Sequence, residues 1–168
     1  TRKNIVFEQK LKGLRSFSLP IIASPMDTVT ETNMACAISK EGGVGIIHRY
    51  NTIDEQAKMV ANTRMAGHQV GAAIGVGTTF LDRAKALSEA GVNFLCIDVA
   101  HGHHTKVRYA LQVLKNTFGD EIHLMAGNVA TLEAFNDLAD WGADSIRVGI
   151  GGGSISLLVS RQDTVCQP

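Results

Sequence analysis

Three observations predict a parallel α/β fold, a sheet covered by helices. Short runs rich in Val and Ile alternate with segments of helical spacing from residue 19 onward. Those runs are nearly continuous in apolar residues, as strands buried on both faces must be. The period is about 25 residues, the length of one strand-plus-helix unit. A (β/α) barrel and a doubly wound sheet both suit this spacing, and the pattern alone leaves the choice open.

The elements follow in order. LPIIASPM (19–26) leads into the helical segment ETNMACAISKEG, and GVGIIHR (43–49) leads into IDEQAKMVANTR. QVGAAIGV (69–76) precedes TFLDRAKALSEAG, where Leu81, Ala84, Leu87 and Ser88 share one face and Asp82, Arg83 and Lys85 turn outward. FLCIDVAH (94–101) precedes HTKVRYALQVLKNTFG, IHLMAGNV (122–129) precedes TLEAFNDLADWG, and SIRVGIG (145–151) is the sixth strand. Thr52, Thr79 and Thr131 open helices, while glycines in EGG, EAG, FGD and DWGAD close them. No linker or low-complexity tract interrupts the pattern. It ends after GGGSIS (151–156), because LLVSRQDTVCQP is neither a clear helix nor a clear strand. The expected organisation is a patterned domain over 1–156 and a divergent tail over 157–168.

Composition excludes several classes of function. With 168 residues, 45% of them hydrophobic, the chain can bury a core as one domain. Sixteen basic residues balance sixteen acidic ones, so no overall field favours nucleic acid or an anionic membrane. Cys36, Cys96 and Cys166 are odd in number and far apart, and the first two sit in apolar runs. They read as reduced, packed thiols of a cytoplasmic protein. No secretory leader and no apolar stretch of about 18 residues is seen, so no membrane span is expected.

Polar residues gather at the strand exits: Ser24 and Asp27, His48 and Arg49, Asp98 and His101, Asn128, and the glycines after Arg147. In parallel α/β folds the carboxyl ends of the strands line the binding site. GIGGGSIS can bring backbone N–H groups to a phosphate, turn carbonyls toward a cation, or form a tight turn. Asp98 ends an apolar strand and needs a donor, either a ribose hydroxyl or a nearby backbone N–H. HGHH (101–104) lacks an i, i+4 pair and carboxylate company, so it reads as solvated histidines rather than a metal site. Asp27 reads as the cap of a helix starting near Thr30, Met26 as core filler, and Cys36 and Cys96 as core.

Taken together, ASPMDTVTE, GGVGIIHRYNTIDEQ, VGAAIGV, DVAHGHH, MAGNVAT and GADSIRVGIGGGSI resemble, in order, the IMP dehydrogenase and GMP reductase family. The resemblance runs nearly to Ile155 and implies a TIM-type (β/α)8 barrel, incomplete here, with about six βα units. SPMDTVTE and GGVGIIHR are closer to the dehydrogenase branch. The absence of a CBS insert in ANTRMAGHQVGAAIGV is reductase-like. The resemblance implies IMP and NAD, or GMP and NADPH, as substrate and cofactor, a homo-oligomer (a tetramer in the family), and neither nucleic acid nor membrane as partner. It places Ser24 and Met26 on the purine nucleotide and Asp98 on the ribose of the dinucleotide. Asn128 and Arg147 would support the catalytic loop, Ser154 the nucleotide phosphate, and backbone carbonyls of Gly151, Gly153 and Ser156 a monovalent cation such as K+.

One departure is large. The family's nucleophile is a cysteine where this chain has Ser156, and a serine without a base is far weaker than a thiolate. If a TGC codon at 156 lost its G, a coding string compatible with SLLVSRQDTVCQP reads C-S-T-R-I-Q-T-G-H-G-V-P-T when the base is restored, which resembles the family's continuation. A frameshifted tail is therefore expected to lack regular structure or to pack opportunistically. Full barrels take about 250 residues, so the chain is expected to stop after its sixth strand and to be inactive, with Ser156→Cys not restoring turnover.

Overall fold

The computed structural model describes residues 10–11 and 16–149, and the backbone of 157–160. Six strands and five helices alternate: β1 (Ile22–Ala23), α1 (Thr32–Lys40), β2 (Val44–Ile47), α2 (Ile53–Met65), β3 (Val70–Ile74), α3 (Phe80–Glu89), β4 (Phe94–Asp98), α4 (Thr105–Phe118), β5 (His123–Val129), α5 (Leu132–Asp140) and β6 (Ser145–Val148). Each lies within the run that the sequence pattern assigns to it, save that α2 extends one residue further, to Met65.

Neighbouring strands from β1 to β6 pair in parallel and in strict chain order. A doubly wound sheet reverses its order at a switch point and carries helices on both faces. Here all five helices pack on one face: Ala35, Val60, Leu87, Leu111 and Leu138 join a single cluster with Ile47, Ile74, Ile97 and Ile146. The other face holds a second cluster, in which Val44, Ile46, Ala73, Phe94, Cys96 and Met125 meet Leu11 and Phe17 from the N-terminal segment. Alternate residues of one strand thus serve two cores, as in Leu95 outward and Cys96 inward. The architecture is a curled, incomplete (β/α) barrel.

Helix ends follow local chemistry. Thr52 and Glu55 form a capping box at α2, and the Thr131 side chain accepts from Ala134 N–H at α5. Thr79 makes no capping hydrogen bond. Gly42, Gly91, Gly119 and Gly142, just past helix ends, have φ between +57° and +108°, a region that only glycine enters without strain. Two expectations are corrected. Asp27 caps no helix, since α1 starts at Thr32 with Glu31 as its N-cap. Arg83 turns inward, donating to Gln56 Oε1 at 2.7 Å and to the Asn51 carbonyl at 3.0 Å, because fully buried Gln56 needs a donor.

The tail reading is corrected in part. Leu157–Ser160 forms a seventh strand, β7, antiparallel to β6, with Ser145 opposite Ser160 and Val148 opposite Leu157. A barrel continuing its pattern would add a parallel strand after a helix. This segment instead satisfies the unpaired backbone groups at the edge of β6.

Inside the barrel, Phe94 lies against its cross-strand partner Gly71, and a Cβ on Gly71 would fall 2.2 Å from the ring. Gly71→Ala should therefore destabilise the fold by about 1–3 kcal/mol in urea unfolding. Adding Phe94→Leu should recover part of the loss. Equal stability of Gly71→Ala and the parent would show that the interior is not filled as described.

Candidate active site at the strand exits

Because the sheet is parallel, the residues that end or follow its strands lie at one end. Ser24, His48, Asp98, Asn128 and Arg147 share this rim. Its organising contact is an ion pair: Arg147 Nη1 donates to Asp98 Oδ1 in a short hydrogen bond, with both side chains mostly buried. Asp98, Gly127 and Arg147 stand side by side on β4, β5 and β6. A Cβ on Gly127 would come within 2.7 Å of Arg147 Cβ, so a glycine between them lets Arg147 lean across β5. The donor that Asp98 requires is thus a guanidinium, which was not among the two partners expected from the sequence.

The same guanidinium lies 3.9 Å from Cys96 Sγ. Burial pushes the Cys96 thiol up to about 12; Arg147 offsets this in part, and Asp98 reinforces it. Burial also acts to lower Arg147, but the facing Cys96 and Asp98 outweigh it and hold the guanidinium above its usual value. Cys96 is therefore an inert core thiol, as its apolar run suggests. Cys36 is only half-buried, which corrects its reading as core.

Beside the ion pair opens a cavity of about 330 Å³ lined by Arg49, Tyr50, Asp98, Val99, Ala100 and Asn128. Asn128 is fixed by its backbone N–H to the Val99 carbonyl at 2.9 Å and its side-chain amide to the Gly149 carbonyl at 2.9 Å. Arg49 packs over the Tyr50 ring, with Cζ 5.5 Å from its centre, and donates to the Asp98 carbonyl at 3.3 Å. Its Nε is buried without a hydrogen-bond partner among the described residues. Arg83 stands near enough that its own guanidinium is lowered, first by burial and then by the Arg49 charge. Arg49 thus lines this corner with Arg83 close behind it, bound to Gln56 and Asn51, while Asp98 is already paired. An anionic ligand would compensate the Arg49 charge.

Ser24 and Met26 share the rim but do not line this cavity. Both are exposed, Met26 at 56%, which corrects its reading as core filler. Thr28 in the same loop has φ +59°, a strained conformation for a β-branched residue. His101 and His104 are exposed; His104 accepts from Lys106 N–H as the cap of α4, and His103 Nε2 lies 2.7 Å from Asp137 Oδ2, stacked on Trp141. Among the described residues, no group of three or more His, Cys, Asp or Glu is placed to hold a metal ion. Gly151, Gly153, Ser154 and Ser156 lie outside the described residues. Arg49 gained only a place among the strand-exit residues from sequence and Tyr50 none, although HRY follows a strand directly.

Fold and rim together define a (β/α)-barrel protein whose candidate site lies at the carboxyl ends of its strands. The IMP dehydrogenase / GMP reductase domain matches residues 2–162, and the chain belongs to that family. It is 33% identical to an inosine-5'-monophosphate dehydrogenase of Borreliella burgdorferi over 190 residues, covering 83% of this chain and 47% of the relative. A dehydrogenase of the same name from Cryptosporidium parvum is 33% identical over 196 residues, covering 91% and 48%. A GMP reductase of Paracidovorax citrulli is 32% identical over 147 residues, covering 86% and 44%. The chain spans about half the length of the curated relatives it matches. No helix among the described residues is long and apolar enough to cross a membrane.

The Cys96 environment has two measurable consequences. In the native protein Cys36 should react with a thiol reagent at pH 8 while Cys96 should not. Its proton is held more tightly folded than unfolded, so its contribution to stability is complete below pH 9.0, the ordinary thiol value, and is lost as pH rises toward about 12. The stability difference between the parent and Cys96→Ala should shift against the parent by on the order of 1 kcal/mol per pH unit across that window. A flat difference would contradict the buried, neutral thiol.

Proposed function

We propose that the chain is the nucleotide-binding part of a purine-nucleotide oxidoreductase of the IMP dehydrogenase type, converting IMP and NAD to XMP and NADH in its active relatives. The cavity carries this reading. It places the uncompensated Arg49 cation beside Asp98 and Asn128, a donor set suited to a dinucleotide's phosphate and ribose. Asp98 retains acceptor capacity beyond Arg147, because a carboxylate offers about four lone-pair sites. Arg49 would hold phosphate oxygens and Asp98 a ribose hydroxyl. The bound dinucleotide would supply a hydride acceptor.

Ser24 and Met26 would contact the purine nucleotide and Ser154 its phosphate. Gly151, Gly153 and Ser156 would offer carbonyls to a monovalent cation such as K+. Arg147, fixed by Asp98, would support the loop that follows β6. Ser156 stands where the family's thiolate attacks, and a one-base loss at that codon would account for a serine in place of the cysteine. The chain would then bind ligands without turning them over.

GMP reductase, with GMP and NADPH, is favoured by one observation. The alignments with the two dehydrogenases run over 190 and 196 residues, more than the 168 of this chain, so those relatives carry internal residues it lacks. The reductase alignment, at 147 residues, needs no such insert.

Calorimetric titration tests both readings. The 168-residue chain should bind IMP and NAD more tightly than GMP and NADPH, with no detectable turnover of either pair. Arg49→Ala should weaken dinucleotide binding by roughly tenfold, the size of one lost charge-assisted contact. Tighter binding of GMP and NADPH would select the reductase reading. Binding of neither pair, or clear turnover, would overturn the proposal.

A further inference from the structure

We propose that His48 is a positioning residue that fixes both walls of the candidate site. One ring nitrogen holds the β1–α1 loop with Ser24 and Met26, and the other holds the Arg49–Tyr50 turn. What the two walls bind rests on the function proposed above; their joint dependence on His48 does not.

His48 follows β2 directly and is 2% exposed. Its Nδ1 accepts the Tyr50 backbone N–H at 3.2 Å. In the neutral ring that leaves the proton on Nε2, which lies 3.2 Å from Glu31 Oε1 and 3.8 Å from Asp27 Oδ1. A buried imidazole thus spends both nitrogens in opposite directions, toward two separate loops. The backbone strengthens the first connection: His48 N–H donates to the Thr30 carbonyl at 3.3 Å, and the Thr30 hydroxyl donates to the Ser24 carbonyl.

Two further features go beyond simple packing. Glu31 is the N-cap of α1 yet makes no side-chain capping bond. A capping side chain ordinarily accepts from the first turn of its own helix; this one is committed to His48 instead. The loop it secures contains Thr28 at φ +59°, which persists only where the surroundings impose it. On the other side, the Tyr50 N–H held by Nδ1 sets the turn that carries Arg49 and Tyr50 into the cavity. One side chain therefore keeps the proposed nucleotide loop and dinucleotide cavity in register.

Substitution can separate the two functions. His48→Asn keeps a polar atom near Nδ1 but cannot reach Glu31, while His48→Gln reaches Glu31 but leaves Tyr50 N–H unanswered. In native-state hydrogen exchange of the ligand-free chain, His48→Asn should speed exchange over residues 26–31 by about tenfold or more while Tyr50 changes by less than about twofold; His48→Gln should do the reverse. Glu31→Ala, at a position whose side chain is 44% exposed, should reproduce the Asn pattern, and it decides the matter if the histidine variants do not fold. Both histidine variants loosening both segments alike, or unchanged protection of 26–31 in Glu31→Ala, would overturn the proposal. In titrations, the Asn variant should weaken IMP alone and the Gln variant NAD alone. A parent chain that binds neither would refute the functional reading and leave the exchange result standing.

Discussion

The Arg147–Asp98 ion pair is the constraint around which the rim is built. A charge on one side chain at the mouth of a filled apolar interior is tolerated only with a partner, since removing such a partner strands the other charge. Meeting that demand dictates the rest. Arg147 and Asp98 are separated by β5, so the residue between them must be Gly127. The side-chain amide of Asn128, one residue on, then ties β5 to the exit of β6. Asp98, held from one side, offers its backbone carbonyl to Arg49 on the other. Four strand ends, those of β2, β4, β5 and β6, are thereby locked to one another around a cavity.

The same pairing leaves the site electrically unfinished. With Asp98 satisfied by Arg147, Arg49 has no carboxylate among the described residues, and Arg83 adds a second cation nearby. Free of ligand, this corner carries repulsion that an anion would relieve. The unfinished charge of this corner is the physical ground on which the anionic nucleotide ligand proposed above rests, beside membership of the IMP dehydrogenase / GMP reductase family.

Most of the fold was legible because hydrophobic period and helix punctuation are local signals. Ala84 and Leu87 reach the core as their spacing requires, and Gly91 and Gly142 end helices where positive φ is needed. The site was legible only as a location. Polar residues at strand exits could be read one strand at a time. That Asp98 meets Arg147, 49 residues away, depends on strand register, which no local pattern encodes. The misreadings of Asp27 and Arg83 share this cause: each follows an average preference that a specific neighbour overrides. Arg83 turns inward because Gln56 is buried with it, and Asp27 faces His48 rather than a helix end. The strand at Leu157–Ser160 was missed because pairing with an open sheet edge makes few demands on sequence.

A double-mutant cycle on Asp98 and Arg147, followed by equilibrium unfolding, tests this account most directly. Asp98→Ala and Arg147→Ala should each destabilise the chain by about 3 kcal/mol or more, because each leaves a buried charge alone. The double variant should be no less stable than the worse single one, since neither charge then remains. Losses that simply add, to within about 0.5 kcal/mol, would show that the two residues act independently and that the rim is held together by something else.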